Sequence, residues 1–489
     1  MKSHLLSWII FSPLLVALAL LFVPRSQTFL LKWIAAAGTL FVGILSLIAL
    51  GAFDPAQTGF QLVERVSWIP AFQVHYFVGT DGISFPMIAL TALISFLGCI
   101  GSFGIKEREK EYYFLYLLLE TGMLGSFLAL DLFLFYIFWE VVLVPMYFLI
   151  GIWGGPRKEY AAIKFFLYTL AGSLFMLLGI LALYFNATPH TFDLTLLVQN
   201  SFAVPLQKIL FLAFFLGFAI KVPAFPFHTW LPDAHVEAPT PISVILAGIL
   251  LKMGTYGFFR FSYPLFPEAA LWFRPAMALI AVIGIIYGGF VAMAQTDFKK
   301  MVAYSSVSHM GFVLLGLAAF TANGFNGALL QMFTHGIITS ALFLLVGVLY
   351  DRAHTRDMGA FGGLSAQMPV YSGILILFSL ASLGLPGLAG FISEFLVLLG
   401  TYQAQKLWAG LACIGIILAA AYLLMMVRKV LLGPAHEKWA KLPDIHAREI
   451  FTLAPLGVLV ILFGLLPSLI LNYITPTAQA LLLSLGGKL

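Results

Sequence analysis

The sequence predicts an all-α polytopic membrane protein of about 14 transmembrane helices, with two inverted five-helix repeats that each contain a broken helix. Three observations carry this. First, 61% of the 489 residues are hydrophobic, only 10% are charged, and mean hydropathy is +1.01. A soluble chain carries about 25% charged residues. A surface this poor in charge cannot be wetted, which excludes a soluble enzyme, a nucleic-acid binder and a disordered chain. Second, apolar runs near the roughly 20 residues that span a bilayer recur along the whole chain. Third, two of those runs are broken by proline and glycine, five spans apart.

The first run, 5–23, resembles a signal peptide. No small-residue cleavage site follows it, and a second apolar run begins soon after Pro24-Arg25. It therefore reads as the first span. Further spans lie near 29–51, 79–103, 112–130, 131–153, 163–185, 209–229, 240–262, 272–295, 301–321, 327–350, 371–400, 408–432 and 450–473. These runs are too long and too evenly apolar for the alternating strands of a membrane β-barrel.

Lys and Arg test the topology. With the N-terminus outside and strict alternation, the inner loops hold 17 of the 26 basic residues, among them Arg25, Lys106, Arg157, Lys158, Lys299, Arg356 and Arg428. The outer loops hold 7: Lys2, Arg65, Lys208, Arg260, Arg274, Lys406 and Lys488. This positive-inside bias supports an even number of spans with both termini outside. Lys221 and Lys252 fit neither side and fall within spans.

The seventh span is interrupted at Lys221-Val222-Pro223-Ala224-Phe225-Pro226-Phe227-His228, and the twelfth at Gly384-Leu385-Pro386-Gly387. Each proline removes a backbone donor and clashes with the preceding turn. At membrane depth a broken helix persists only where protein or a polar cavity covers the freed groups. An offset of five spans makes the two broken helices antiparallel, as an inverted repeat requires; unrelated proline kinks would carry no such relation. The division expected is 1–111 (helices 1–3), 112–262 (first repeat), 263–432 (second repeat) and 433–489 (helix 14).

Few ionisable groups lie inside the spans: Glu120, Glu140, Lys221, Lys252, His309, His335 and Glu394. The five carboxylates and ammoniums cost roughly 15 kcal/mol before pairing, at about 3 kcal/mol each. Pairing and hydration must offset most of that, so such groups line polar pathways. Glu140 and Lys221 are natural partners. Lys252 lies mid-span, beyond the reach of either interface and with no neighbouring acid, which suits a proton carrier. Glu394 follows the second break. His309 and His335 are candidates to connect these groups, with Thr334 and Thr339 placed to hydrate His335. His228 is a candidate entry group near the inner end of span seven. Glu120 has no assignable role.

The candidates are spread over several helices without metal-ligand spacing. Cys99 and Cys413 are far apart and form neither a disulfide framework nor a thiolate site. No GxGxxG, Walker A or CxxC pattern is present, so no nucleotide, flavin, haem or iron–sulfur cofactor is expected in this chain. Carboxylates and freed carbonyls would also suit sodium. Lysine on the path argues for protons, because an ammonium excludes a cation but can pass on a proton.

Leu231-Pro232-Asp233-Ala234-His235-Val236-Glu237-Ala238-Pro239-Thr240-Pro241 with Leu246-Ala247-Gly248-Ile249-Leu250-Leu251-Lys252-Met253-Gly254, together with Phe138-Trp139-Glu140, resembles the signature of the antiporter-like subunits of respiratory complex I and its relatives. The resemblance runs over nearly the whole chain. In the signature, Thr240 is expected to cap a helix and Pro241 to occupy its first turn. The short tail after the last span differs from the L-type, and Glu394 replaces the lysine of the L-type, N-type and Mrp subunits. Both features are similar to the M-type.

The resemblance implies a proton-translocating subunit of a bacterial NADH:quinone oxidoreductase in the inner membrane, with both termini periplasmic. It implies L-type and N-type partners, and NADH, FMN, iron–sulfur clusters and quinone in other subunits. Glu140 and Lys221 would form a modulating ion pair, Lys252 the central relay, His309 and His335 the link, and Glu394 the exit group. A stand-alone or Mrp-type sodium/proton antiporter, and the D subunit of the cyanobacterial-type NAD(P)H or ferredoxin:plastoquinone oxidoreductase, are the alternative readings.

Overall fold

The computed structural model describes residues 4–486; Lys2 and Lys488, counted above on the outer side, lie outside the described residues. Helices occupy every predicted interval. In order they are α1 (Leu5–Leu20), α2 (Thr28–Ala52), α3 (Ser84–Gly101), α4 (Glu109–Leu128), α5 (Leu132–Trp153), α6 (Lys158–Asn186), α7 (Val204–Lys221) and α8 (Trp230–Glu237). Then follow α9 (Thr240–Leu265), α10 (Pro267–Met293), α11 (Phe298–Ala319), α12 (Ala322–Ala353), α13 (Pro369–Ser382), α14 (Ala389–Ala404), α15 (Lys406–Leu431), α16 (Ala447–Leu465) and α17 (Ser468–Ser484).

Among the described residues, eleven helices are long and apolar enough to cross a membrane by length and composition. The architecture is that of a multi-pass helical membrane protein. α1 is shorter, at 16 residues. α4 carries Glu109, Lys110, Glu111 and Glu120, and α13 and α14 are the halves of a broken helix.

Burial is ordered from the centre outward. α9, α11 and α12 are buried on nearly every face. The outer helices α2, α6 and α15 turn Leu, Ile and Phe toward their surroundings, as at Leu47, Leu178 and Ile417. The polar side chains collect on the central helices: Lys252 and Thr255 on α9, Ser305, Ser308 and His309 on α11, Gln331, Thr334 and His335 on α12. Lipid rewards apolar surface and penalises unpaired polar groups, so polarity is driven to the axis.

One aspartate device recurs. Asp131 caps α5, accepting from Phe133 and Leu134 amides at 2.9 and 3.1 Å, and bridges Asp193. Asp297 caps α11, accepting from the Lys300 amide at 3.0 Å, and bridges Asp357. Reciprocal backbone bonds seal each bridge: Leu132 to Phe192 and Leu194 to Leu130, then Phe298 to Arg356 and Met358 to Thr296. The helices between the two bridges number five, counting a broken helix once, so they stand at opposite ends of the bundle.

Several expectations need correction. The chain is not wholly helical: β1 (Gln61–Ile69) and β2 (Val74–Thr80) form an antiparallel hairpin, with Val66 opposite Tyr76. α3 therefore begins at Ser84, not near residue 79. Valines at 63, 66, 74 and 78 favour strand, and Gln73 turns the chain at φ +53°. The hairpin is seated by polar contacts. Glu64 accepts from the Leu6 amide at 2.7 Å and so caps α1, while Arg65 pairs with Asp193 at 2.9 Å.

Arg260, counted in an outer loop, lies inside α9, buried and paired with Asp81. Thr240 is the first helical residue of α9 rather than its cap; Pro239 holds the cap position and Pro241 does lie in the first turn. The last span ends at Leu465, and α17 follows at once and packs against α12.

Candidate functional site

The two breaks set the geometry. α7 stops at Lys221, where Pro223 and Pro226 cannot donate to the preceding turns. The freed carbonyl of Ile220 accepts from the Trp230 indole at 2.8 Å, so the interruption is satisfied by protein. In the second break, Gly384 and Gly387 have φ of +83° and +93°, a region closed to most side chains. This turn delivers Glu394 to the centre on α14.

Lys252 sits in α9 between two wide π turns, Leu246–Leu250 and Phe258–Ser262. Such turns often mark functional sites because they shift hydrogen bonds away from the regular helix. The ammonium reaches back to donate to the Ala247 carbonyl, and it hydrogen-bonds His335 Nδ1 at 2.7 Å. The His335 and His309 rings are 5.7 Å apart between centroids. His309 Nδ1 meets Glu394 Oε1 at 2.7 Å.

Lys252, His335, His309 and Glu394 thus form one line across α9, α12, α11 and α14. All four are buried. The single long step is between the imidazoles, where His335 Nε2 has no partner. A cavity of about 10 Å³ there is bounded by His309, His335, Ser382 and Glu394. That is about the smallest space that holds one water.

Sequence reading missed the groups that hold this line. Gln331 donates to Glu394 Oε1 at 3.1 Å. Ser382 and Tyr422 hydroxyls lie 3.3 and 3.2 Å from His309 Nε2. Ser393 donates to Gln331 and meets Thr334 at 3.0 Å. Gln331 stands one turn before His335 in an apolar helix, which was a readable signal; Tyr422 had none.

Three predicted placements differ. Lys221 and Glu140 are not in direct contact; the Lys221 ammonium lies 5.3 Å from the Trp139 ring centroid and 5.6 Å from that of Phe165. Cation–π contact and the negative end of α7 solvate it there. Glu140 is half-buried, and its Oε1 has no hydrogen-bond partner. The threonines do not hydrate His335: Thr339 donates to the His335 backbone carbonyl and Thr334 turns toward Ser393. His228 is packed against Phe225 and Tyr287, and neither ring nitrogen is hydrogen-bonded. Glu120 is fully buried with both carboxylate oxygens unpartnered. No cluster of three or more His, Cys, Asp or Glu suited to a metal ion occurs among the described residues.

Residues 129–420 match the family described as NADH:quinone oxidoreductase/Mrp antiporter, transmembrane. The chain is 45% identical to NADH-quinone oxidoreductase subunit M of Rickettsia bellii, over 99% of each chain. Its fold superposes on a chain of respiratory complex I from Thermus thermophilus with bound NADH, at TM-score 0.91 and 33% identity, covering 100% of both. A chain of the Mrp complex from Dietzia shares the fold at TM-score 0.86 and 20% identity, over 99% of both chains.

Proposed function

The chain belongs to the NADH:quinone oxidoreductase/Mrp antiporter membrane family, and from that premise we propose that it is the proton-translocating M-type membrane-arm subunit of an NADH:quinone oxidoreductase. The observation that carries the reading is the buried line Lys252–His335–His309–Glu394, with hydrogen bonds of 2.7 Å at both ends.

Each member can bind and release a proton. A proton held by Lys252 passes to His335 Nδ1, leaves from Nε2, crosses one water to His309 and reaches Glu394, the exit group. Lys221 and Glu140 are apart in this conformation. When the Glu140 carboxylate approaches, the opposite charge holds the Lys221 proton; when it withdraws, burial favours release toward Lys252. Quinone reduction elsewhere in the assembly would supply the change at Glu140.

NADH, FMN, iron–sulfur clusters and quinone belong, in this reading, to other subunits, and L-type and N-type subunits are the neighbours. The chain divides at 1–111, 112–262, 263–432 and 433–489, the two central parts being inverted repeats; the paired aspartate bridges support this. The membrane is the bacterial inner membrane, with both termini periplasmic.

The test uses Glu140→Gln and Lys252→Ala in the intact complex. Proton uptake by membrane vesicles is measured beside NADH oxidation. Both variants are expected to assemble and to lose most proton uptake per NADH oxidised. Normal pumping in both, in assembled complex, overturns the relay. Failure to assemble in both indicates that the charges only hold helices together.

A further inference from the structure

His309 has a hydrogen-bonding group at each ring nitrogen, and the two ends differ in kind. Nδ1 meets the Glu394 carboxylate of α14 at 2.7 Å. At Nε2 stand two hydroxyls from two further helices. Ser382, the last residue of α13, lies at 3.3 Å, and Tyr422 of α15 lies at 3.2 Å. All three side chains are buried. Between Ile416 and Met426, Tyr422 is the single residue with a polar side chain. A phenylalanine would fill the same space without the cost of burying a phenol, so the hydroxyl has a use that packing does not supply.

A neutral imidazole carries one N–H and one lone pair. The Glu394 carboxylate also accepts from Gln331 at 3.1 Å. When ionised it can only accept, so Nδ1 bears the hydrogen and Nε2 the lone pair. That lone pair takes one well-aligned donor, and two hydroxyls compete for it. They are not equivalent. Ser382 borders the cavity of about 10 Å³ that His309, His335 and Glu394 share, on the side from which a proton from His335 arrives. Tyr422 reaches the same nitrogen from α15 and forms no part of that cavity wall.

Titratable groups on the other helices packed against α11 are engaged elsewhere. On α10, Arg274 donates to the Ala318 and Ala319 carbonyls, and Tyr287 packs on His228. On α8, Asp233 holds Lys164 and His235 stacks on Phe343. Nε2 of His309 is therefore left to Ser382, Tyr422 and the His335 ring, 5.7 Å away between centroids.

We propose that the Tyr422 and Ser382 hydroxyls form a gate on the step between the two histidines. With Tyr422 donating to Nε2, the lone pair of His309 is occupied and no proton enters. When Tyr422 turns away, Ser382 takes its place. The Ser382 oxygen receives a proton from the cavity as its own hydrogen passes to Nε2, and Nδ1 hands its hydrogen to Glu394. One proton enters and one leaves; Ser382 is again a hydroxyl and His309 again neutral. Tyr422 then accepts from the new Nε2–H, which closes the path against return. Ser382 is thus on the proton path, and Tyr422 is a positioning residue. The inference rests on the relay proposed above and adds what makes its middle step one-way.

The experiment measures two quantities in vesicles carrying the intact complex: proton uptake per NADH oxidised, and the decay of an imposed proton gradient without NADH. Each variant is checked for assembly on native gels. Ser382→Ala is expected to lose most uptake, and Ser382→Thr, which keeps a hydroxyl, to retain it. Tyr422→Phe keeps the ring and removes the gate, so the gradient is expected to decay roughly fivefold faster, the population change that one ordinary hydrogen bond commands. Adding His309→Gln to Tyr422→Phe takes the imidazole out of the return path and is expected to restore slow decay. Fast decay that persists there comes from loosened packing and overturns the gate. Unchanged decay in Tyr422→Phe, normal uptake in Ser382→Ala, or a loss in Ser382→Thr as large as in Ser382→Ala overturns it as well. If Tyr422→Phe does not assemble, Tyr422→Met with the same readouts replaces it. Normal uptake in His309→Gln overturns the relay itself; loss there with normal uptake in Ser382→Ala overturns only the gate.

Discussion

Arg260 and Asp81 form a buried ion pair at the outer end of α9, joined by the Tyr256 hydroxyl at 3.0 Å from Arg260 Nε. Removing one partner strands the other charge, so Arg260→Met is expected to destabilise by about 3–5 kcal/mol. Adding Asp81→Asn keeps the acceptor for the Ile83 and Ser84 amides and removes the stranded charge. The double variant should therefore melt above the single one in detergent-solubilised complex; a double no more stable than Arg260→Met refutes the argument. Burial pushes the Asp81 carboxyl up, but the Arg260 charge and the hydrogen bonds outweigh it and hold the group below its ordinary value. A depressed folded value means the stabilisation is present above the unfolded pKa and disappears as pH falls through the folded one. The clamp should thus hold at every pH above about 4, and a melting curve that weakens between pH 7 and 5 in wild type but not in the double variant would contradict it. Lys252 and Glu394 were legible as isolated buried charges. Their partners His335 and His309 are 83 and 85 residues away along the chain, and only packing decides that distance.

At the scale of elements, apolar runs give the helices, and proline and glycine give the breaks. The hairpin escaped because nine and seven residues of mixed polarity carry no long run. The π turns beside Lys252 escaped because they depend on which carbonyl the neighbours leave free, not on local propensity. The second break makes a clean test. A Cβ added at Gly387 meets nothing within 4 Å, so Gly387→Ala costs only the strain of φ +93°. The expected loss is about 1–2 kcal/mol, read as a lower melting temperature. Unchanged melting would mean that the break tolerates another backbone path. Asp131→Ala removes the acceptor of three amides, those of His75, Phe133 and Leu134. It is expected to cost about 1–2 kcal/mol, measured the same way. Asp297→Ala, at the other end of the bundle, should cost a similar amount if the two bridges are equivalent.

For the whole molecule, the distribution of Lys and Arg sets orientation before any contact forms. The proposed orientation, with both ends outward, predicts that alkaline phosphatase fused after either terminus is active in a bacterial host. Activity at one end only would mean an odd number of crossings and would contradict the proposed inverted repeats. By itself the sequence determined the class of molecule, the order of its spans, the two breaks and which buried charges need an explanation. These follow from composition and local chemistry, because lipid selects on apolar length and on each buried charge singly. Only the tertiary structure decided which charges meet. It joined Lys252 to Glu394 through two histidines, left Lys221 out of direct contact with Glu140 and enclosed His228. Those outcomes depend on how helices distant in sequence pack, where a hydrogen bond is won or lost over about one ångström.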